Sequence, residues 1–190
     1  MDKPEKILAT ALKLFVTYGF HGTPTSKIAS EAGVSNGTLF HYFKTKDELV
    51  VALYRAIKEE LNQYLATQSS AGDTVKEKFR RLFTGTVEWA LANGDAFYFI
   101  QQFRFSPHLN LISTEESRKQ TEKHAQWLED ARKAKALKPL PIDLIGTLIT
   151  SQMDGVHQYL MSQSVPPTEQ HKLIDEVVEL TWTLIANPET

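Results

Sequence analysis

Apolar residues recur along this chain at the spacing of one helix face almost from the start. Ile7, Ala11, Leu14, Phe15 and Tyr18 follow one another at i, i+4, i+7, i+8 and i+11, and Gly19 closes the run, which predicts a first helix with a glycine stop. Thr23 then offers an N-cap with Pro24 at the first helical position, and Ile28, Ala29 and Ala32 supply a short apolar face that ends at Gly33. This is a second helix of barely two turns. Ser35 is the natural N-cap of a third, with Leu39, Phe40 and Phe43 facing the first two. Two short helices joined by a glycine-bearing turn and braced by a preceding helix form a helix-turn-helix.

Asp47 and Glu48 favour the start of a long fourth helix, because acids complement the positive N-terminal end of its dipole. Leu49, Leu53, Ala56, Ile57, Leu61, Tyr64 and Leu65 keep its period to about residue 67. The polar stretch "TQSSAGDT" at 67–74 reads as a linker. Beyond it the pattern predicts helices at about 73–92, 95–105, 113–136, 141–163 and 167–187, with Pro139 and Pro141, then Pro166 and Pro167, separating the last three. With no competing period-2 alternation and no internal repeat, the expected fold is all-α with about nine helices. The expected division is a helix-turn-helix domain over 1–48 and a larger helical domain over 49–190, with helix 49–67 connecting them.

Composition narrows the class without choosing a function. The 190 residues are 42% hydrophobic and 23% charged and contain no cysteine, which excludes disulfide and thiolate chemistry and suits a reducing cytoplasm. No apolar run approaches the ~20 residues needed to span a bilayer, and the charged N-terminus is no signal peptide. The chain reads as soluble and cytoplasmic. Its net charge is −2, unevenly spread: residues 1–48 carry 6 Lys against 5 acids, whereas residues 140–190 carry 1 Lys against 7 acids. A polyanion would therefore meet the N-terminal part and be repelled by the C-terminal quarter.

That directs attention to "VSNGTLFHYFKTKDEL", Val34 to Leu49. A recognition helix reads base edges from its first turn, where Ser35, Asn36, Gly37 and Thr38 offer short donors and acceptors and Gly37 permits close backbone approach. His41 and Tyr42, a turn further on, can reach phosphates or sugars, and Lys44 and Lys46 can neutralise the backbone. With no Arg in the first 48 residues, one copy neutralises few phosphates, so tight binding calls for a second copy from a symmetric partner.

The segment "ALKLFVTYGFHGTPTSKIASEAGVSNGTLFHYFKTKDELVVALY", Ala11 to Tyr54, closely resembles the N-terminal domain of TetR-family (TetR/AcrR) transcriptional regulators in order and spacing. The resemblance implies a homodimeric repressor, two helix-turn-helix units on a pseudo-palindrome of double-stranded DNA, and a C-terminal helical domain that binds a small-molecule inducer. It places Thr25, Ser26 and Lys27 near phosphates, Ser35, Asn36, Gly37 and Thr38 at the reading end, and His41, Tyr42 and Lys46 on the backbone. Two positions depart from the pattern. Many relatives have a Tyr where Phe40 stands, and that hydroxyl can contact a phosphate; others have a basic residue where Ser26 stands.

The C-terminal part is read from its residues. "DAFYFIQQFRFS", Asp95 to Ser106, holds five aromatics in twelve positions, the signature of a helix buried on several sides. Phe99 and Phe103, flanked by Gln102 and preceded by Trp89, either pack or line an apolar cavity with a few orienting polar groups. His124, Trp127, Gln152, Met153 and Asp154 could complete such a site, which would take an aromatic or amphipathic molecule, with cationic compounds slightly favoured by the acidic C-terminal region. Broad apolar faces on the last two helices, Ile145, Leu148, Ile149, Val156 and Leu160 on one and Leu173, Val177, Leu180 and Leu184 on the other, suggest a four-helix bundle between two copies. That arrangement would set the recognition helices in successive major grooves, roughly 34 Å apart.

An enzyme is the competing class, but there is no G-x-S-x-G, no H-E-x-x-H and no phosphate-binding glycine loop, and the six His lack metal-ligand spacing. No catalytic residue, metal or cofactor is expected. A helical carrier or sensor of apolar small molecules without DNA binding is the alternative reading; it would bind a hydrophobic dye yet show no salt-sensitive DNA affinity.

Overall fold

The computed structural model describes residues 2–68, 74–112, 126–163 and 165–188. Among these the chain is all-α. Its helices are α1 (Lys3–Tyr18), α2 (Thr25–Glu31), α3 (Asn36–Tyr42), α4 (Lys46–Gln68), α5 (Val75–Ala92), α6 (Gly94–Arg104), α7 over 126–133, α8 (Ile142–Gln163) and α9 (Pro167–Ile185), with a 3-10 turn at Pro107–Leu111. The helix expected over 113–136 is described only from residue 126. The described residues contain no strand; Leu137 and Ala186 form an isolated antiparallel bridge. By packing the chain falls into two compact units, one of Met1–Glu60 with Asn93–Thr114 and the other of Leu61–Ala92 with Glu115–Thr190.

In the first unit, side-chain caps start α1, α3 and α4. Asp2 and Glu5 form a capping box on α1, each carboxylate accepting the other's backbone N–H at 2.9 Å. At α4, Thr45 Oγ1 accepts the Glu48 N–H at 3.0 Å while the Glu48 carboxylate accepts the Lys44 N–H at 2.7 Å. Thr23 does not cap α2 as the sequence suggests. Its side chain is fully buried and its hydroxyl turns back to the carbonyls of Leu14 (3.1 Å) and Gly19 (2.8 Å), so it satisfies the C-terminal end of α1. α2 begins instead after Pro24, with no side-chain cap. At the corner between α1 and α2, a Cβ on Gly22 would stand 2.3 Å from the Tyr18 carbonyl oxygen, so only glycine fits.

Ile7, Ala11, Leu14, Phe15, Ile28, Ala29 and Leu39 are buried at the centre of this unit. The α6 helix adds the remaining rings. Phe99 stacks on Phe15 at 6.2 Å and meets Phe20 edge-on at 5.5 Å, and Phe103 lies parallel to Tyr54 at 4.0 Å. His108 of the 3-10 turn meets Phe20 at 5.0 Å and places Nε2 3.1 Å from the Asp47 carboxylate.

The second unit is built around Phe79, Phe83 and Val87 of α5, Leu128 and Ala131 of α7, Ile145, Val156 and Leu160 of α8, and Ile174, Val178 and Ile185 of α9. Arg80 and Lys76 on α5 hold Glu179 of α9, and Arg80 also lies 3.3 Å from Asp175. Lys138 donates from Nζ to the carbonyls of Leu184 (2.7 Å) and Thr183 (3.2 Å), which closes the C-terminal end of α9 with a cation.

Candidate nucleic-acid interface

The turn between α2 and α3 is set by Gly33, at φ +68°, a left-handed conformation that glycine adopts without a Cβ penalty. Two backbone hydrogen bonds lock it: Gly33 N–H to Ser30 O at 3.1 Å and Val34 N–H to Ala29 O at 3.0 Å. The next residue is the cap the sequence predicts. Ser35 Oγ accepts the Thr38 N–H at 3.0 Å and lies 3.0 Å from the Thr38 hydroxyl. α3 is then held from within by Leu39, fully buried, and Phe43, 9% exposed.

Ser35, Asn36, Gly37, His41 and Tyr42 are exposed, and Thr38 is half-buried. Gly37 is informative because a Cβ there would meet only Ser35 Oγ, at 3.7 Å. The fold has room for a side chain at this position, and glycine inside a helix costs about 1 kcal/mol relative to alanine. Folding alone therefore gives no reason for glycine here.

Phe40 corrects the sequence reading. It was expected to pack inward with Leu39 and Phe43, but it is 41% exposed, because a seven-residue helix buries a narrow arc and Phe40 lies at its edge. Tyr42, 43% exposed, meets the His41 ring edge-on at 5.3 Å.

The cations are less free than their number suggests. Lys27 Nζ sits 3.8 Å above the Tyr18 ring and 4.0 Å from the Glu31 carboxylate. Lys44 is exposed, with Nζ 3.4 Å from the His41 carbonyl. Lys46 lies in the first turn of α4, where burial pushes its ammonium below the usual range and neighbouring Asp47 pulls it back. Thr25 is half-buried and Ser26 exposed on α2.

This geometry agrees with what the chain is similar to. The family model described as "Bacterial regulatory proteins, tetR family" matches residues 7–53, and that described as "Tetracyclin repressor-like, C-terminal domain" matches residues 54–187. The chain belongs to the TetR family. It is a DNA-binding transcriptional regulator of the helix-turn-helix class. A Shewanella sp. PV-4 structure assigned to the TetR-family transcription regulators superposes with a TM-score of 0.90 at 29% identity, covering 98% of this chain and 99% of that one. A TetR-family regulator from Marinobacter aquaeolei VT8 has the same fold, with a TM-score of 0.84 at 22% identity over 97% and 96% of the two chains. The Fatty acid metabolism regulator protein of Bacillus subtilis (strain 168) is 33% identical over 73 residues, 38% of this chain and 34% of its own length. The transcriptional regulator RutR of Escherichia coli (strain K12) is 46% identical over 55 residues, 29% and 26% of the two. The chain thus matches about a third or less of the length of these last two relatives.

In this TetR-family chain the residues expected around a ligand are distributed between the two units. Phe99, Gln102 and Phe103 belong to the first, where Phe99 and Phe103 are fully buried in the aromatic cluster and Gln102 is half-buried. Trp89, Trp127, Gln152, Met153 and Asp154 belong to the second. There Trp89 is 3% exposed, Trp127 and Met153 pack on the core, Asp154 is half-buried and Gln152 is exposed. His124 lies outside the described residues.

The expected dimer positions separate as well. Ile145, Val156 and Leu160 are inside the unit's own core, with 0%, 7% and 2% exposure, which leaves them no surface for a partner. Ile149, Leu173 and Val177 pack partly against that core, and Leu148 is half-buried. Leu180 and Leu184 are exposed, as are Leu144 and Tyr159 of α8, which the sequence pattern did not single out.

Two basic side chains whose charge burial disfavours also escaped the sequence reading. Lys58 of α4 is half-buried; burial, reinforced by repulsion from the Arg104 guanidinium, pushes its ammonium below the usual range. Burial likewise raises the Tyr54 phenol, against a smaller pull from Arg104. His157 of α8 is 9% exposed, and burial lowers its imidazole despite a hydrogen bond to the Ala90 carbonyl and the nearby Asp154 carboxylate. The only sequence signals were a lysine four residues after a tyrosine and a histidine inside an apolar run.

Proposed function

We propose that this protein is a homodimeric repressor that holds a pseudo-palindromic operator through two helix-turn-helix units and is released by an aromatic or amphipathic small molecule. DNA binding is assigned to 1–48, and ligand binding and dimerisation to 49–190. Ser35, Asn36, Gly37 and Thr38 read base edges, while Thr25, Ser26, Lys27, His41, Tyr42, Lys44 and Lys46 lie along phosphates. The observation that carries this reading is the exposed start of α3, where a Cβ on Gly37 would meet only Ser35 Oγ, at 3.7 Å, so that the fold does not require glycine.

Dimerisation is supported by the α9 stripe Leu173, Val177, Leu180 and Leu184, whose last two members are 70% and 40% exposed. A self-complementary bundle of α8 and α9 from two copies would cover it. The likeness to a fatty acid metabolism regulator makes amphipathic acyl compounds the first to screen. Because α4 contributes residues to both units, a ligand that prefers the DNA-free state can shift α4 and change the spacing of the recognition helices. Identical spacing in crystals with and without inducer would sink that mechanism. No described helix is long and apolar enough to cross a membrane.

The deciding experiment is fluorescence anisotropy of the purified protein on the DNA directly upstream of its own gene, at two salt concentrations, against a scrambled duplex. Specific binding that weakens with salt is the expected result. Equal, weak binding to both duplexes at that site, and to every duplex in a selection from random DNA, would favour the carrier reading.

A further inference from the structure

Phe40 is an apolar ring held at the surface of a seven-residue helix capped by Ser35. Leu39 and Phe43 anchor α3 inward, the Ser35 cap fixes its start, and Phe40 is left 41% exposed with no ring packed on it among the described residues. Its position follows from helix geometry. Phe40 comes four residues after Asn36 and three after Gly37, so it lies on their side of the helix, one turn further along. It is continuous with the surface assigned to base reading.

We infer that Phe40 is a specificity residue that reads the 5-methyl group of an operator thymine next to the base pair faced by Asn36 and Gly37. This rests on the DNA-binding reading of α3. A phenyl ring has no donor or acceptor, so it gains nothing from a phosphate oxygen or a base heteroatom. In the major groove the thymine methyl is the one apolar group that the base pairs present, and it distinguishes T·A from the other three. Tyr42, the other exposed aromatic of α3, carries a hydroxyl and lies two residues, about 200° of helix rotation, from Phe40, which leaves Phe40 alone on the Asn36 side.

The test begins with an operator selected from random duplexes by the full-length protein. Each thymine is then replaced in turn by deoxyuridine, which removes only the methyl. One symmetry-related thymine per half-site should matter, each replacement weakening binding about fourfold, as for ~0.8 kcal/mol per buried methyl-sized group. Phe40→Ala should bind the thymine and deoxyuridine duplexes equally, and Phe40→Tyr, which keeps the ring, should retain the difference. Wild-type protein that binds every deoxyuridine duplex like the parent, or Phe40→Ala that keeps the full difference, overturns the inference. If no sequence is enriched, DNA reading by α3 itself falls and the inference with it, an outcome distinct from a flat scan on an enriched duplex.

Discussion

The large apolar side chains exposed on α1 to α3 are rings, whereas those exposed on α8 and α9 are mostly aliphatic. Phe40 and Tyr42 on the seven-residue α3, and Tyr18 at the end of α1, are 41–52% exposed on helices pinned by caps and a glycine turn. Leu180 and Leu184, with Leu144 and Tyr159, lie along two helices of 19 and 22 residues. Isolated groups on a rigid, well-capped element suit a rigid ladder of base edges, where each contact is set by position. A repeating aliphatic stripe suits a copy of itself, where the total area covered matters more than any one contact. Each unit also holds a basic side chain whose charge burial disfavours, Lys58 in the first and His157 in the second, so the two can be compared.

The strongest way to break the contrast is Leu180→Asp. Leu180 is 70% exposed, so the subunit should keep its helicity, but the stripe would carry a charge into the proposed interface. Sedimentation should show a monomer, and loss of bivalency should weaken operator binding on the order of 100-fold or more. A variant that still sediments as a dimer would remove α9 from the interface.

Gly37→Val attacks the other side. The nearest atom to a Cβ there is 3.7 Å away, so the thermal midpoint and dimer mass should stay near those of the parent. Operator affinity should fall roughly tenfold or more, the scale of 1–3 kcal/mol for a lost base-reading contact. Unchanged affinity would take Gly37 out of the reading surface.

Lys58→Met sharpens the comparison of buried charges. Removing a half-buried ammonium that burial and Arg104 both disfavour should raise the thermal midpoint by a few degrees, since each kcal/mol is worth roughly 2–4 °C in a chain of this size. A lowered midpoint would mean that the charge is held by something that stabilises it.

The smallest effect is expected at His157. Its folded-state imidazole is held below the ordinary value of 6.5, so at mildly acidic pH the unfolded chain binds the extra proton. The stabilising effect of keeping it neutral is complete above that value and declines as pH falls through it towards the folded-state value. Urea midpoints measured from about pH 7.5 down to 5 should fall less steeply in His157→Gln than in the parent; parallel slopes would place the acid sensitivity elsewhere.

Most of the helices were legible because their signals are local. The Ser35 cap, the Gly33 turn and the acids opening α4 act within four residues of themselves. Thr23 misled because a Thr-Pro pair looks like a cap from sequence, while its hydroxyl is engaged by the Leu14 carbonyl nine residues back, a partner that exists only once the corner has formed. Phe40 misled for a related reason: on a two-turn helix, 39, 40 and 43 all fit one apolar arc, and only the neighbouring helices decide where that arc ends. The same limit applied to α8 and α9. Periodicity identified their apolar faces but could not say that Ile145, Val156 and Leu160 belong to the subunit's own core while Leu180 and Leu184 stay outside it. Lys58 and His157 left almost no trace, because a charged residue's burial is decided by what packs over it.

The first unit is assembled from two separate stretches of chain, and this has a consequence for its birth on the ribosome. α1 to α3 emerge early, but Phe15 and Phe20 receive the Phe99 ring only after α6 has been made. At ~5–20 residues per second, the stretch from Glu60 to Phe103 takes roughly two to nine seconds to synthesise. Throughout that interval the nascent helix-turn-helix has its reading surface in sequence but lacks the rings that complete its core. The protein therefore gains its finished DNA-binding unit late in translation, when more than half of the chain already exists.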